Sequence, residues 1–131
     1  MARDLGKTGS HRLVDGLIGP SGDRNYVLDE ASVLHFPGRT GLAGVYQGRT
    51  AILGLLDRLN ELTGGTFEFV PIRTVGRGGD TVAFVTSAQG TRRGKRLEAA
   101  AIHVLSRRGN CVRELWLLHP DQHRVDEFWM D

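Results

Sequence analysis

Residues 66–120, TFEFVPIRTVGRGGDTVAFVTSAQGTRRGKRLEAAAIHVLSRRGNCVRELWLLHP, decide the fold because they hold four runs rich in β-branched and aromatic residues. The breaks GRGGD, GTRRGK and RRGN separate these runs, and each contains the glycine that is typical of a hairpin connection. This part of the chain therefore predicts an antiparallel meander. Its strands are predicted at residues 66–75, 80–89, 96–106 and 111–120.

The residues before this meander predict helices and one further strand. Residues 48–65, GRTAILGLLDRLNELTGG, repeat leucine and isoleucine at helical spacing and end in two glycines, which predicts the best helix of the chain. Weaker helical patterns lie at residues 11–19 and 21–31, and SVLHFPG at residues 32–38 is typical of a strand that ends at a Pro-Gly turn. Residues 1–10 have no periodic apolar positions and are expected to form a flexible arm.

The remaining residues, 121–130, read DQHRVDEFWM and predict a short helix that folds back over the sheet or against a partner subunit. Phe128 and Trp129 need cover, and Asp121 can cap the start of such a helix. Helices followed by a strand meander are typical of an α+β fold, with one helical layer on an antiparallel sheet. A length of 131 residues fits one domain, which we predict at residues 11–131.

Composition and charge narrow the classes of function. The net charge of +2 is small and the basic clusters lie beside glycines at predicted hairpin tips, so no nucleic-acid partner is expected. Cys111 is the single cysteine, which excludes an intramolecular disulfide and a cysteine-based zinc cage. His119 and His123 are separated by Pro120, which interrupts a helix, so no metal site is expected. No leader pattern and no apolar run of about 20 residues is present, so we expect a cytoplasmic protein without a membrane partner.

Two strand histidines are candidates for chemistry. His35 lies in the middle of the strand predicted at residues 32–38, and His103 shares a strand face with Ala99 and Ala101. Small residues beside an imidazole leave room for a ligand, and a histidine can move protons near neutral pH. The alternative is that each is an ordinary structural residue. Candidate pocket walls are Trp116 and Leu118, which share a face, with Tyr26, Tyr46, Phe67, Phe69, Phe84 and Ala101.

Three phrases in this order resemble the SnoaL-like branch of the nuclear transport factor 2-like superfamily: YVLDEASVLHFPG, AGVYQGRTAILGLLDRL and VRELWLLHPDQHRVDEFW. That superfamily includes ketosteroid isomerases, polyketide cyclases and limonene epoxide hydrolases. The resemblance implies a cone-shaped α+β barrel, in which a curved antiparallel sheet surrounds a deep pocket and about three helices close one side. It also implies a homodimer. No cofactor is expected for the enzyme hypothesis given below.

The resemblance further implies roles for the two histidines. His35 matches the position of the isomerases' catalytic aspartate, and His103 matches the acid that donates a hydrogen bond to the developing enolate oxygen, a pair of roles that is known for ketosteroid isomerase. Both positions are histidine here, so steroid isomerisation is not expected, and the proton transfers at these positions are expected to differ. The cyclases' acid on the last strand falls near Leu117 and Leu118, with no matching carboxylate. Hydrolysis of epoxides by the family's Asp-Arg-Asp set is not expected.

These observations lead to three hypotheses about function. The first is an enzyme that binds a small apolar or polyketide-like molecule and uses His35 as base and His103 as hydrogen-bond donor or acid, for isomerisation, cyclisation or dehydration. The second is a non-catalytic ligand-binding or carrier protein of the same fold. The third is an interaction protein whose interior is filled by its own side chains. A dimer is expected to cover the apolar outer face of the sheet, predicted to comprise Ala100, Ile102, Val104, Leu115 and Leu117.

Overall fold

The computed structural model describes residues 9–18 and 26–131, with side chains in the first helix from Leu13 onward. It contains three helices and six strands within these residues. The elements in chain order are α1 (Gly9–Ile18), β1 (Val33–Phe36), β2 (Gly44–Gln47), α2 (Arg49–Leu62), β3 (Glu68–Gly78), β4 (Thr81–Arg92), β5 (Lys95–Arg108), β6 (Cys111–Leu118) and α3 (Gln122–Trp129).

The six strands form one sheet in the order β2-β1-β6-β5-β4-β3. The predicted meander is confirmed, since β3 to β6 pair antiparallel in sequence order. The prediction of a wholly antiparallel sheet is wrong, because β1 runs parallel to β6, with His35 opposite Trp116. Parallel neighbours need a long connection, and here most of the chain lies between the two strands.

The sheet is curved and open, so the α+β cone is confirmed but the barrel does not close. Strands β2 and β3 lie at the two ends of the strand order and each pairs with one neighbour. Register shifts interrupt β3 between Pro71 and Arg73 and again between Thr74 and Gly76. An extra residue at such a bulge bends the strand and increases its twist. The bulges therefore help to curve the sheet around the helices.

The two faces of the sheet differ in what covers them. We call inner the face that bears Leu34, Phe84, Ala101 and Leu115, all of which are buried in the core with the helices. The outer face bears the alternate residues of the same strands. Helix α2 was predicted correctly, and its apolar stripe is buried through Ile52, Leu55, Leu56 and Leu59. The hydrophobic core therefore lies between the helices and the inner face. Burial of these apolar side chains is the main contribution to the stability of the fold.

Helix α1 lies against the inner face at close range. Leu13, Leu17 and Ile18 are buried, as the helical spacing predicted. A Cβ atom at Gly16 would lie 2.9 Å from both the Cβ and the carbonyl oxygen of Phe69 on β3. Such a distance is too short for ordinary contact, so glycine is what permits this approach.

The fold-back of the last helix is confirmed. Phe128 and Trp129 of α3 are buried, and the Trp129 ring contacts that of Phe67 with centroids 5.2 Å apart. The Asp121 side chain accepts a hydrogen bond from the backbone N–H of Arg124 at 3.3 Å, which is the capping role that the sequence predicted.

Three local predictions differ from the structure. The helix predicted at residues 21–31 is wrong from Tyr26 onward, where Val27 instead bridges Cys111 of β6. Its earlier residues, and residues 1–8 of the predicted arm, lie outside the described residues, while Gly9 and Ser10 belong to α1. Strand β2 was not predicted, because its four residues are too few for a clear alternating pattern.

Candidate functional site

His103 is a buried polar residue on the inner face of strand β5. Its ring is fully buried, and Nδ1 donates a hydrogen bond to the carbonyl oxygen of Leu17 in α1 at 2.9 Å. A carbonyl can only accept, so in the neutral ring the proton must be on Nδ1. Nε2 then accepts the hydroxyl proton of Thr86, at 2.8 Å. The helix and the neighbouring strand thus determine which nitrogen keeps its lone pair.

Aromatic rings surround this imidazole. Phe84 stacks on it with ring centroids 4.5 Å apart, and Phe69 meets it edge-on at 5.1 Å. Burial among these rings is the main reason that the pKa of His103 is lowered from 6.5 to about 4; the hydrogen bond to Leu17 opposes this shift, and His119 adds to it. The ring is therefore neutral at physiological pH. It can accept a proton or hydrogen bond at Nε2, whereas the predicted role as acid or donor is not supported, because Nδ1–H is already used.

His35 lies on the outer face, so the prediction that both histidines share one hollow is wrong. Leu34 and Phe36 point into the core, and side chains alternate along a strand. The His35 Nε2 lies 2.8 Å from Oε2 of Glu114, and its ring stacks on Trp116 with centroids 5.0 Å apart. Both members of the His35–Glu114 pair are partly exposed. A displacement by a single residue along a strand reverses the face of the side chain, and sequence alone does not settle this register.

The other predicted pocket residues divide between the two faces. Phe67, Phe84 and Ala101 are buried in the interior, while Tyr46 packs against the core and donates its hydroxyl proton to the carbonyl oxygen of Leu42 at 2.6 Å. Trp116 and Leu118 are 37% and 49% exposed on the outer face, so neither can line a pocket with His103. Leu115 and Leu117, predicted to be on the outer face, are instead buried in the core.

Tyr26 lies between two small surface depressions. The first, of about 170 Å³, is also lined by Arg77 and Arg107. The second, of about 180 Å³, is also lined by Arg49. Tyr26 is half-buried and also packs against the core. Tyr26 is not among the residues described above that contact the His103 ring. Its predicted role in substrate binding therefore stays a prediction.

Sequence reasoning missed two features. Thr86 was treated as an ordinary strand residue, although a polar residue at a position that alternates with Phe84 and Ala88 on a buried face is a usable signal. The sequence TRRGK was interpreted as a solvated hairpin tip, yet Arg92 is buried. The position of Arg92 depends on α3, which folds back onto β5 from the far end of the chain.

The described residues contain neither a group of metal ligands nor a membrane-spanning helix. Among residues 9–18 and 26–131, no three histidine, cysteine, aspartate or glutamate side chains are grouped as metal ligands. No helix of the described part is long and apolar enough to cross a membrane.

Comparison with solved structures agrees with this architecture. Bal32a, from a soil-derived mobile gene cassette, is 31% identical, with a TM-score of 0.75 over 78% of each chain. An NTF2-like protein of unknown function from Burkholderia pseudomallei is 12% identical, with a TM-score of 0.68 over 79% of this chain and 80% of that one. A putative SnoaL-like polyketide cyclase from Shewanella denitrificans is 17% identical, with a TM-score of 0.55 over 77% and 78%.

The open sheet with its helical layer thus places the chain in the class of cone-shaped α+β proteins. The chain has the fold of nuclear transport factor 2-like proteins, and solved structures of SnoaL-like and ketosteroid isomerase-like proteins share this fold. No protein-family model matches the sequence, and no curated protein matches it.

Proposed function

We propose that this chain binds a small apolar or polyketide-like molecule between the helices and the inner face, and that His103 accepts a proton from it. The observation that supports this most directly is the hydrogen bonding of His103, which leaves the Nε2 lone pair as its acceptor. A ligand with an acidic O–H or C–H group would take the place of the Thr86 hydroxyl at Nε2. Return of the proton to another ligand atom would complete an isomerisation, and cyclisation or dehydration could begin in the same way.

The proposed chemistry uses His103 as a base. General acid or base help of this kind contributes roughly 10² to 10⁴ in rate. A pKa near 4 makes a weak base, but one that is free of its proton at neutral pH. The aromatic surroundings exclude water, and this strengthens a hydrogen bond from the ligand to Nε2.

A non-catalytic ligand carrier is the second candidate. The observation that favours it is that the hydrogen-bonding groups of the site already have partners: Thr86 and His103 are both fully buried and are hydrogen-bonded to each other at 2.8 Å. A carrier would need the same acceptor to orient its ligand but no proton transfer. The two candidates therefore share a binding site and differ in whether the proton moves.

Phenols test the binding site, because a neutral phenol donates a hydrogen bond and a phenolate cannot. We expect 2-naphthol and substituted phenols to shift the NMR signals of the His103 ring, with affinity that increases with acidity among the neutral forms and is lost above each phenol's pKa. His103→Phe, which keeps an apolar ring but removes the acceptor, should lower the affinity at least about tenfold, consistent with a lost hydrogen bond of about 1.4 kcal/mol or more.

His35→Asn on the outer face is the matched control and should bind 2-naphthol as the wild type does. If no phenol perturbs the His103 ring while the protein is folded, the interior is closed and both candidates are rejected in favour of the interaction protein with a filled interior.

Hydrogen exchange separates the enzyme from the carrier. In D₂O, the wild type should accelerate exchange of the α-hydrogens of 2-tetralone, an apolar ketone, at least about tenfold over buffer, within the range of general base catalysis. His103→Phe should abolish the acceleration. Binding of 2-tetralone at His103 without accelerated exchange would identify a carrier.

A further inference from the structure

A groove of about 550 Å³ lies at the end of α2, away from His103, and its lining combines cations with apolar side chains. The groove is lined by Arg58 and Leu62 of α2, by Arg92 and Arg93 at the turn between β4 and β5, by Trp129 and the two residues after α3, and by residues 40–42 before β2. Apolar walls with a few convergent polar groups are typical of small-molecule sites.

Arg92 is an unusual residue in this groove because its guanidinium is almost wholly buried. The residue is 7% exposed, and Nη1 donates to the carbonyl oxygens of Phe128 and Met130 at 3.3 and 3.2 Å. Its Nε–H has no hydrogen-bond partner among the described residues. A buried cation with an unpaired donor is costly, so further polar contact there would be favourable.

The carboxylate of Asp131 already forms ion pairs with Arg92 and Arg93. The side chain of Asp131 bonds to Arg92 Nη2 and lies 3.3 Å from Arg93 Nη1. The hydrogen bond from Arg92 is the main cause of the lowered pKa of Asp131, and the charges of Arg93 and Arg92 add to it. Yet the Asp131 side chain is 70% exposed, so water can compete for its place. Arginine pairs well with carboxylates, because its planar donors match their two oxygens.

Arg93 is held beside Asp131 by a backbone conformation that few residues adopt. Its φ is +51°, and it is the non-glycine residue with positive φ in the described chain; Gly94 follows at +77°. Two-residue hairpin turns of this kind favour Asn-Gly or Gly-Gly, so an arginine here has a conformational cost. Strained positions often coincide with binding sites.

We propose that this groove binds an organic carboxylate, a small anion with an apolar body. The carboxylate head replaces that of Asp131 at Arg92 and Arg93, and Arg58 adds positive charge at the rim. The apolar body lies against Leu62 and Trp129. In the free protein, Asp131 competes with the ligand, so the apparent affinity is reduced by the fraction of molecules in which it occupies the arginines.

This site goes beyond the proposed function and is separate from its pocket. The Phe67 ring lies between the groove and the interior: it contacts Trp129 at 5.2 Å and Phe69 at 5.1 Å, and Phe69 in turn contacts His103 at 5.1 Å. A ligand in the groove should therefore change the NMR signals of Trp129 and leave the Nε2 acceptor of His103 in place.

Calorimetry with hexanoate, compared with the neutral and nearly isosteric hexanamide, tests the proposal. We expect hexanoate to bind the wild type at least about tenfold more tightly than hexanamide, since only the charged carboxylate can replace that of Asp131 in charge-assisted hydrogen bonds to the guanidinium groups. Asp131→Asn, which weakens the internal competitor, should tighten hexanoate binding at least about threefold.

Arg93→Gly should weaken hexanoate binding at least about fivefold while it relieves the turn, so a loss of folding would not explain the result. Arg96→Ala removes an equal charge from an exposed position outside the groove and should leave the affinity within about twofold. The proposal is overturned if hexanoate binds no better than hexanamide, if Asp131→Asn does not tighten binding, if Arg93→Gly behaves like Arg96→Ala, or if hexanoate shifts His103 and not Trp129.

Discussion

At the scale of single residues, the Thr86 hydroxyl and the Leu17 carbonyl determine what His103 can do. One donates to Nε2 and the other accepts from Nδ1–H, so the neutral tautomer is defined and the ring is an acceptor. The sequence identified His103 as a candidate from its alanine neighbours and from the resemblance, but not its tautomer. That depends on Leu17, which is 86 residues away along the chain.

The buried imidazole should make the stability depend on pH. The pKa of His103 is about 4 in the folded protein and about 6.5 in the unfolded chain, so between these values only the unfolded state binds the proton. The stabilisation is complete above pH 6.5 and is lost as the pH falls toward 4, by an amount on the order of 3 kcal/mol.

Urea unfolding at several pH values checks this expectation. His119, whose pKa is also lowered chiefly by burial, contributes in the same direction, so the comparison must be with His103→Gln, which keeps His119. The variant should show a smaller loss of stability between pH 6.5 and 4. An NMR titration of the His103 ring with a midpoint near 6.5 would contradict the burial described here.

At the scale of elements, the close contact between Gly16 of α1 and Phe69 of β3 determines where α1 can lie on the sheet. The apolar spacing of Leu13, Leu17 and Ile18 predicted the helix and its buried stripe, but it did not show which strands it covers. Gly16 permits contact with Phe69 of β3, and this brings the Leu17 carbonyl within hydrogen-bonding distance of His103 on β5. The position of the helix and the state of the site are therefore coupled.

Two glycine substitutions test this packing. Gly16→Ala should reduce the free energy of unfolding by about 1–3 kcal/mol, because its Cβ would lie 2.9 Å from backbone and side-chain atoms of Phe69. Gly54→Ala, in α2, has no atom within 4 Å of the added Cβ and should instead stabilise by about 0.5–1 kcal/mol. Urea denaturation of both variants gives the comparison, and equal stabilisation by the two would refute the close approach of α1.

At the scale of the whole molecule, the outer face remains partly apolar. Trp116, Leu118 and Val45 are 37%, 49% and 65% exposed, and the half-buried Ile102 and Val104 of β5 lie opposite Leu118 and Trp116 of β6. Exposed apolar patches of this kind often mark contacts between proteins. The homodimer that the resemblance implied stays a prediction. We expect these outer-face residues to form its interface.

Leu118→Lys should convert the expected homodimer into a monomer, because a lysine would be buried without a partner at the interface. Light scattering coupled to size-exclusion chromatography measures the mass directly. Val75→Lys changes an exposed apolar residue on the edge strand β3 and should leave the dimer intact. A wild-type chain that is monomeric at high concentration would remove this prediction.

The sequence by itself determined the antiparallel meander, α2, α3 and the α+β fold class, because alternation, helical spacing and glycine breaks are local patterns. Only the tertiary structure decided that His35 and His103 lie on opposite faces, that Trp116 and Leu118 face outward, and that Arg92 is buried beneath the end of α3. The physical reason is that the face of a strand reverses with every residue, while burial depends on segments that are distant in the chain. A residue's type shows what chemistry it can perform, and its partners across the fold decide which part of that chemistry remains available.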